Sequence, residues 1–206
     1  MKRSVKRLHK NLGKVHFFIK HDVSNEADWQ NVVDTVINKW GKIDVLVNNA
    51  GITYNTPLEE LSLESYMKIV NINQVSVFLG IKSVASTMKE QQHGSIINIS
   101  SMNGLVGGAI GYTDTKFAVR GMTKAASSDL SPYNIRVNSV HPGVIQTPMI
   151  EQEGVKEAVE EFAKTIPMRR IALTEEVSNM VIFLASDDAS YSTGSEFVID
   201  GGLTAL

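Results

Sequence analysis

The stretch IDVLVNNAG, Ile43 to Gly51, sets a short apolar run directly against two asparagines, an alanine and a glycine. A β-branched run of this length, ended by turn-forming residues, reads as a strand of a covered sheet. At the carboxyl end of a parallel strand an open α/β sheet binds its ligands, and Ala50 and Gly51 would let a flat ring or a sugar approach the backbone. Standing alone, NNAG serves equally well as a plain turn. Its neighbours decide between the two.

Similar runs recur at Val15 to Ile19, Ser95 to Ile99, Ile135 to Val140 and Phe197 to Ile199, with segments of helical period between them. Strands alternating with helices imply an α/β fold, a mostly parallel sheet covered on both faces. Trp29, Val32, Val33, Val36 and Trp40 mark the inner face of a first long helix. Met67, Val70, Val77, Ile81 and Val84 thread a second, which starts near the N-cap Ser62 with Glu64 in its first turn. A third opens near Tyr112 and closes before Pro132, and a fourth begins at Thr174 with Glu175 and Glu176 at its positive end. Residues 144 to 170 form a long polar connection of the kind that lies over a site. No repeat or linker divides the chain, so residues 1–206 are expected to form a single domain.

The chain is 43% hydrophobic over 206 residues, which suffices for one substantial core. Its 20 basic and 22 acidic residues leave a formal charge of −2, so no chain-wide field favours nucleic acid. Lys2, Lys6 and Lys10, with Arg3 and Arg7, lie opposite Val5, Leu8 and Leu12 on a helix and read as a solvated amphipathic face. The lack of cysteine excludes a disulfide scaffold and thiolate metal sites, and fits a reducing compartment, the cytoplasm. No apolar run approaches the roughly 20 residues that a membrane helix needs.

SIINISS ends a strand with paired hydroxyls, and eleven residues past Ser101 comes Tyr112, in GYTDTK. On a helix Tyr112 and Lys116 stand one turn apart on one face. A free phenol has a pKa near 10, and an adjacent ammonium stabilises the phenolate. Such a tyrosine can serve as general acid to a ketone or general base to an alcohol, while a serine holds the oxygen. The pair alone is also an ordinary helix-surface contact. His9, His16, His21, His93 and His141 show no metal-binding spacing, and each reads as a surface or satisfied core residue.

In this order HDVS, NNAG, VNIN, NISS, YTDTK, RVNSVHPGVIQTP and TGSEFVIDGG resemble the short-chain dehydrogenase/reductase family, from about Val15 to Leu206. HPGVIQTPM and TGSEFVIDGGLTAL are similar, more narrowly, to its secondary-alcohol dehydrogenases, the R-specific alcohol and cyclopentanol dehydrogenases. The resemblance implies a Rossmann-like doubly wound parallel sheet, and hydride transfer between NAD or NADP and a secondary alcohol or ketone. It makes Tyr112 the general acid/base, Lys116 the group that lowers its pKa and holds the nicotinamide ribose, and Ser101 the hydroxyl that polarises the substrate oxygen. It makes Asn71, in VNIN, the residue that opens the helix backbone to a proton-relay water. Asp22 and Val23 would meet the adenine, Asn49, Ala50 and Gly51 the adenosine ribose and dinucleotide backbone, and Pro142, Gly143, Ile145 and Thr147 the nicotinamide end. Relatives pair through the helices beginning near Ser62 and Tyr112 and through the C-terminal strand, so a homo-oligomer, dimer or tetramer, is expected. Relatives ending in glutamine can hold magnesium; this chain ends in Leu206, and no metal is carried over.

The segment between Ser101 and Tyr112 is two residues shorter than the family usually has. The family's first strand, its TGxxxGxG turn, the following helix and the second strand have no counterpart before Asp22, where Gly13 stands alone. The expectation is therefore an N-terminally truncated Rossmann sheet lacking roughly 40 residues, somewhat more than one βαβ unit. Val15 to Ile19 becomes a third strand, and in the order 3-2-1-4-5-6 a gap of about 14 Å separates it from Ile43 to Asn48. The residue that usually chooses NAD over NADP ends the absent second strand, so both cofactors stay open. A second function also stays open, that of a catalytically silent remnant or an assembly or binding protein of the same fold.

Overall fold

The computed structural model describes residues 16–54, 56–147 and 156–205. Four strands, β1 (Val45–Asn48), β2 (Gly94–Ile99), β3 (Ile135–Pro142) and β4 (Glu196–Ile199), lie side by side in chain order and run parallel. Parallel neighbours need crossover connections, and helices supply them. Helix α1 (Glu26–Trp40) precedes β1; α2 (Leu63–Val70), a π-turn (Asn71–Val75) and α3 (Ser76–Gln91) join β1 to β2. Helix α4 (Tyr112–Leu130) joins β2 to β3, and α5 (Lys156–Ala163) and α6 (Thr174–Ala185) lie between β3 and β4. The pairings Asn48↔Asn98, Ile99↔Val140 and Pro142↔Ile199 bring the carboxyl ends of the strands to one edge.

Successive strand residues feed opposite layers. Ile96, Ile135 and Val137 pack with Val33, Val84, Met88 and Leu130 of α1, α3 and α4, whereas Ile97 and Val140 pack with Leu184 of α6 and with Ala189. Ile96 and Ile97 are both wholly inaccessible, and each such side chain contributes about 1.5–3 kcal/mol. Helix ends follow the sequence: the Asn25 side chain accepts from the Asp28 amide, Ser62 from the Ser65 amide, and Gly41 closes α1 at φ +76°. Glu196 ties β4 to α4, meeting Arg120 Nε at 2.8 Å and Lys124 Nζ at 2.7 Å.

Three expectations change. Residues 16–22 take no regular structure and Phe17 and Phe18 are half exposed, so the run after Val15 forms no strand among the described residues. A strand exists through its ladder, and among the described residues β1 pairs with β2 alone. Val45 and Val47 on β1 are accordingly exposed. Trp40 leaves the inner face of α1 and is 45% exposed, because the helix ends there, while Trp29 and Val33 are buried. The second long helix is interrupted by the π-turn after Val70. The basic N-terminal face of Lys2 to Leu12, and Val15 itself, lie outside the described residues, as does the 148–155 part of the long connection.

Candidate active site

Beyond the last ladder pair of β2 and β3, the Ser100 amide still donates to the Val140 carbonyl at 2.8 Å. Ser101 then leaves the sheet in extended conformation and caps a single helical turn, its hydroxyl accepting from the Asn103 amide at 3.1 Å. Gly104, in that turn, comes so close to the neighbouring elements that a Cβ there would stand 2.5 Å from Ser100 Oγ and 2.9 Å from the Lys116 carbonyl oxygen. The chain reverses through Gly111 at φ +82° and enters α4 at Tyr112.

Tyr112, Lys116, Ser101, Asn49 and Gly51 line one cavity of about 780 Å³, with Ser100, Met102, Asn103, Ala109, Pro142, Gly143, Ile145 and Thr147 among the other walls. Ser101 and Tyr112 share this wall. Burial raises the pKa of the Tyr112 phenol above the ordinary value, and the Ser101 side chain draws it part of the way back. Lys116 Nζ lies 5.5 Å from the centre of the Tyr112 ring and donates to the Ile99 carbonyl at 2.9 Å. Burial alone draws that ammonium down to about 8. The expectation that Lys116 depresses the phenol thus meets a different balance: desolvation governs both groups, and the lowering of the tyrosine comes from Ser101.

The expected asparagine is replaced by its neighbour. Asn71 is exposed, caps the end of α2 and is absent from the cavity walls. Asn73 is wholly buried; its Oδ1 accepts from the Ile52 amide at 2.8 Å, and its Nδ2 donates to the Ile52 carbonyl at 2.9 Å and to Thr115 Oγ1 at 3.3 Å. It therefore clasps the segment after NNAG to the first turn of α4. Asn71 contributes only its carbonyl, which accepts from the Ser76 amide across the π-turn. Helical phase was the available signal, since Asn73 continues the buried row of Ile69, Ser76 and Gly80.

Of the other expected contacts, Pro142, Gly143, Ile145 and Thr147 reach the cavity, Ile145 being pinned by its bridge to Ala172. Gly143 packs on the backbone of Asp200, where a Cβ would stand 2.8 Å from Cα. Asp200 in turn folds the DGG turn, accepting from the amides of Gly202 and Thr204 at 2.8 Å each. Ala50 is exposed and, with Asp22 and Val23, is absent from the cavity walls. The Asp22 carboxylate is occupied by the amide and hydroxyl of Ser24, and the Val23 carbonyl accepts from Trp29 Nε1. Among the described residues no cluster of three or more histidine or acidic side chains is placed to hold a metal ion.

An all-parallel sheet whose carboxyl edge gathers a serine, a tyrosine and a buried lysine around one cavity defines a Rossmann-like fold with an oxidoreductase site. A family model described as enoyl-(acyl carrier protein) reductase matches residues 1–204. The chain is 48% identical over 190 residues to the 3-alpha-(or 20-beta)-hydroxysteroid dehydrogenase of Mycobacterium bovis, covering 91% of this chain and 71% of the relative. It is 46% identical over 207 residues to the cyclopentanol dehydrogenase of a Comamonas species, covering 98% and 82%. The solved structure of ElxO with NADP bound matches with a TM-score of 0.93 at 30% identity, over all of this chain and 85% of that one. The chain belongs to the short-chain dehydrogenase/reductase family.

Proposed function

We propose that this site interconverts a secondary alcohol and a ketone with NAD or NADP. The observation that carries the reading is the convergence of Ser101, Tyr112 and Lys116 on one cavity, with Lys116 Nζ 5.5 Å from the centre of the Tyr112 ring. The residues present fit the nicotinamide end of a dinucleotide: Pro142, Gly143, Ile145 and Thr147 form one wall, and Asn49, Gly51 and Lys116 another. A bound nicotinamide supplies or removes the hydride. Tyr112 gives its phenolic proton to the carbonyl oxygen, or takes it from the alcohol. Ser101 donates its hydroxyl hydrogen to the same oxygen, since its lone pair already accepts from Asn103. Lys116 would hold the nicotinamide ribose, and Asn73, rather than Asn71, holds the π-turn and NNAG segments together at the site. ElxO supports the cofactor class, and the cyclopentanol and hydroxysteroid dehydrogenases support the substrate class.

The test is NAD(P)H-dependent reduction of cyclopentanone and of a ketosteroid, with a parallel fluorescence titration of the cofactor. Tyr112→Phe should lower turnover by about 10²–10⁴-fold while cofactor affinity stays nearly constant. Retained turnover would sink the role given to Tyr112. A second reading, an assembly or binding protein, draws on the exposed apolar edge of β1 at Val45 and Val47; titration without cofactor binding would favour it.

We further propose a homo-oligomer assembled through α2, α3 and α4, which carry the exposed Leu63, Phe78 and Phe117. Among the described residues no helix is long and apolar enough to cross a membrane. The cysteine-free composition supports a cytoplasmic setting.

A further inference from the structure

Ser101 is the second residue past the last β2–β3 ladder pair, after Ser100 has made the final backbone bond to β3, so no strand neighbour remains for its carbonyl. That oxygen accepts from the Gly104 amide at 2.9 Å and lies 3.0 Å from Nδ1 of His141. His141 follows Val140 on β3, is wholly inaccessible, and has its Nε2 2.9 Å from Ser139 Oγ. A carbonyl only accepts, so Nδ1 carries the proton. Burial favours the neutral ring, in which Nε2 accepts from the Ser139 hydroxyl. The imidazole thus replaces a strand neighbour where the chain leaves the sheet, and it precedes Pro142 and Gly143 of the cavity wall.

We propose that His141 is a positioning residue: its Nδ1–H holds the Ser101 peptide and so aims the Ser101 hydroxyl at the substrate oxygen. This rests on the reading of Ser101 as the hydroxyl that binds that oxygen. Four bonds fix this corner, one from the Ser100 amide, one to the Ser101 hydroxyl and two to the Ser101 carbonyl, from the Gly104 amide and from His141, and only the last involves a side chain of β3. Small displacements of a group that binds the reacting atom are expensive in rate, whereas the same displacement in a plain core is not.

Two substitutions separate positioning from packing. Both His141→Asn and His141→Gln remove the ring, but the shorter asparagine places its amide nitrogen near Nδ1, and the longer glutamine places its own near Nε2. With cofactor and secondary alcohol saturating, His141→Gln is expected to lower kcat by about tenfold or more with cofactor KM within about twofold. His141→Asn is expected to recover to within about threefold of the unaltered protein. Equal losses in the two variants, or no loss in either, overturn the proposal.

An NMR measurement needs no turnover. A long-range ¹H–¹⁵N spectrum should show the Nδ1–H tautomer of His141, and the Ser101 and Asn103 amide signals should move in His141→Gln but hold in His141→Asn. The Nε2–H tautomer, or equal movement in both variants, overturns the link. Absent turnover with the expected spectra instead removes the catalytic reading of Ser101 and leaves the His141–Ser101 link standing.

Discussion

Lys116 Nζ donates a 2.9 Å hydrogen bond to the carbonyl of Ile99, the last residue of β2. The Ser100 hydroxyl returns the connection, donating to the Lys116 carbonyl at 2.9 Å. Helix α4 is therefore stitched to the end of β2 by the same lysine that faces the cavity, and its ammonium is almost completely desolvated.

That desolvation makes stability depend on pH. The lysine falls from an ordinary 10.5 to about 8 in the native state. Below pH 8 both states carry the charge, and the native state bears the whole penalty, on the order of 3 kcal/mol. Between pH 8 and 10.5 the native state releases the proton while the unfolded chain keeps it, so this term makes the protein more stable as pH rises. Lys116→Met removes the titration along with the bond to Ile99. In urea unfolding, the stability of the variant relative to the unaltered chain should fall by about 2–3 kcal/mol between pH 7 and 10.5. A difference that does not vary with pH contradicts the burial of a charged lysine.

Tyr112 should reveal its environment in the reverse reaction. Its pKa is raised, chiefly by burial, so the protonated form needed to deliver a proton to a ketone prevails at neutral pH. Alcohol oxidation needs the phenolate, and its rate is expected to climb throughout the alkaline range. Ser101→Ala removes the hydroxyl that lowers the phenol, so the midpoint should move further up while kcat/KM drops by about 10²-fold. The measurement is the pH–rate profile of both proteins, and a midpoint moving down in Ser101→Ala rules out the assigned balance.

Much of this arrangement was legible in local sequence. The apolar runs at Ser95 to Ile99 and Ile135 to Val140 became β2 and β3, Ser62 caps its helix, and Tyr112 and Lys116 fall one turn apart because helical spacing is local. What failed depended on distant partners. The run at Val15 to Ile19 has strand composition, yet residues 16–22 lack a ladder because, among the described residues, no strand lies on the open side of β1. VNIN offers two asparagines on nearly opposite sides of a helix, and only the contacts of Asn73 with Ile52 and Thr115 show which one is buried against the neighbouring elements. The raised pKa of Tyr112 is not legible in the sequence for the same reason, since burial is a tertiary quantity.

The two asparagines are separable by mutation. Asn73→Ala leaves the Ile52 amide and carbonyl without their partner, and should destabilise the protein by about 2 kcal/mol and reduce turnover with it. Asn71→Ala alters an exposed side chain and should stay within about 0.5 kcal/mol. Thermal unfolding of the pair provides the comparison, and the opposite ranking would restore Asn71.

Assembly can be tested on α3 and α4. Phe78 is 52% exposed on α3 and Phe117 40% exposed on α4, and neither is required by the core of the isolated chain. Large rings left in water on adjoining helices favour a covered face, and a stable interface of this kind removes about 800 Å² from each partner. The double substitution Phe78→Asp with Phe117→Asp places two carboxylates there and two more on the opposing copy, so like charges meet as the apolar gain is lost. Sedimentation equilibrium should show the unaltered protein above monomer mass and the double variant at monomer mass. Because both positions are exposed, the variant's fold should change by no more than about 0.5 kcal/mol per site, apart from stability lost with the interface itself. A monomeric unaltered protein, or a variant that assembles as before, would place the contact elsewhere.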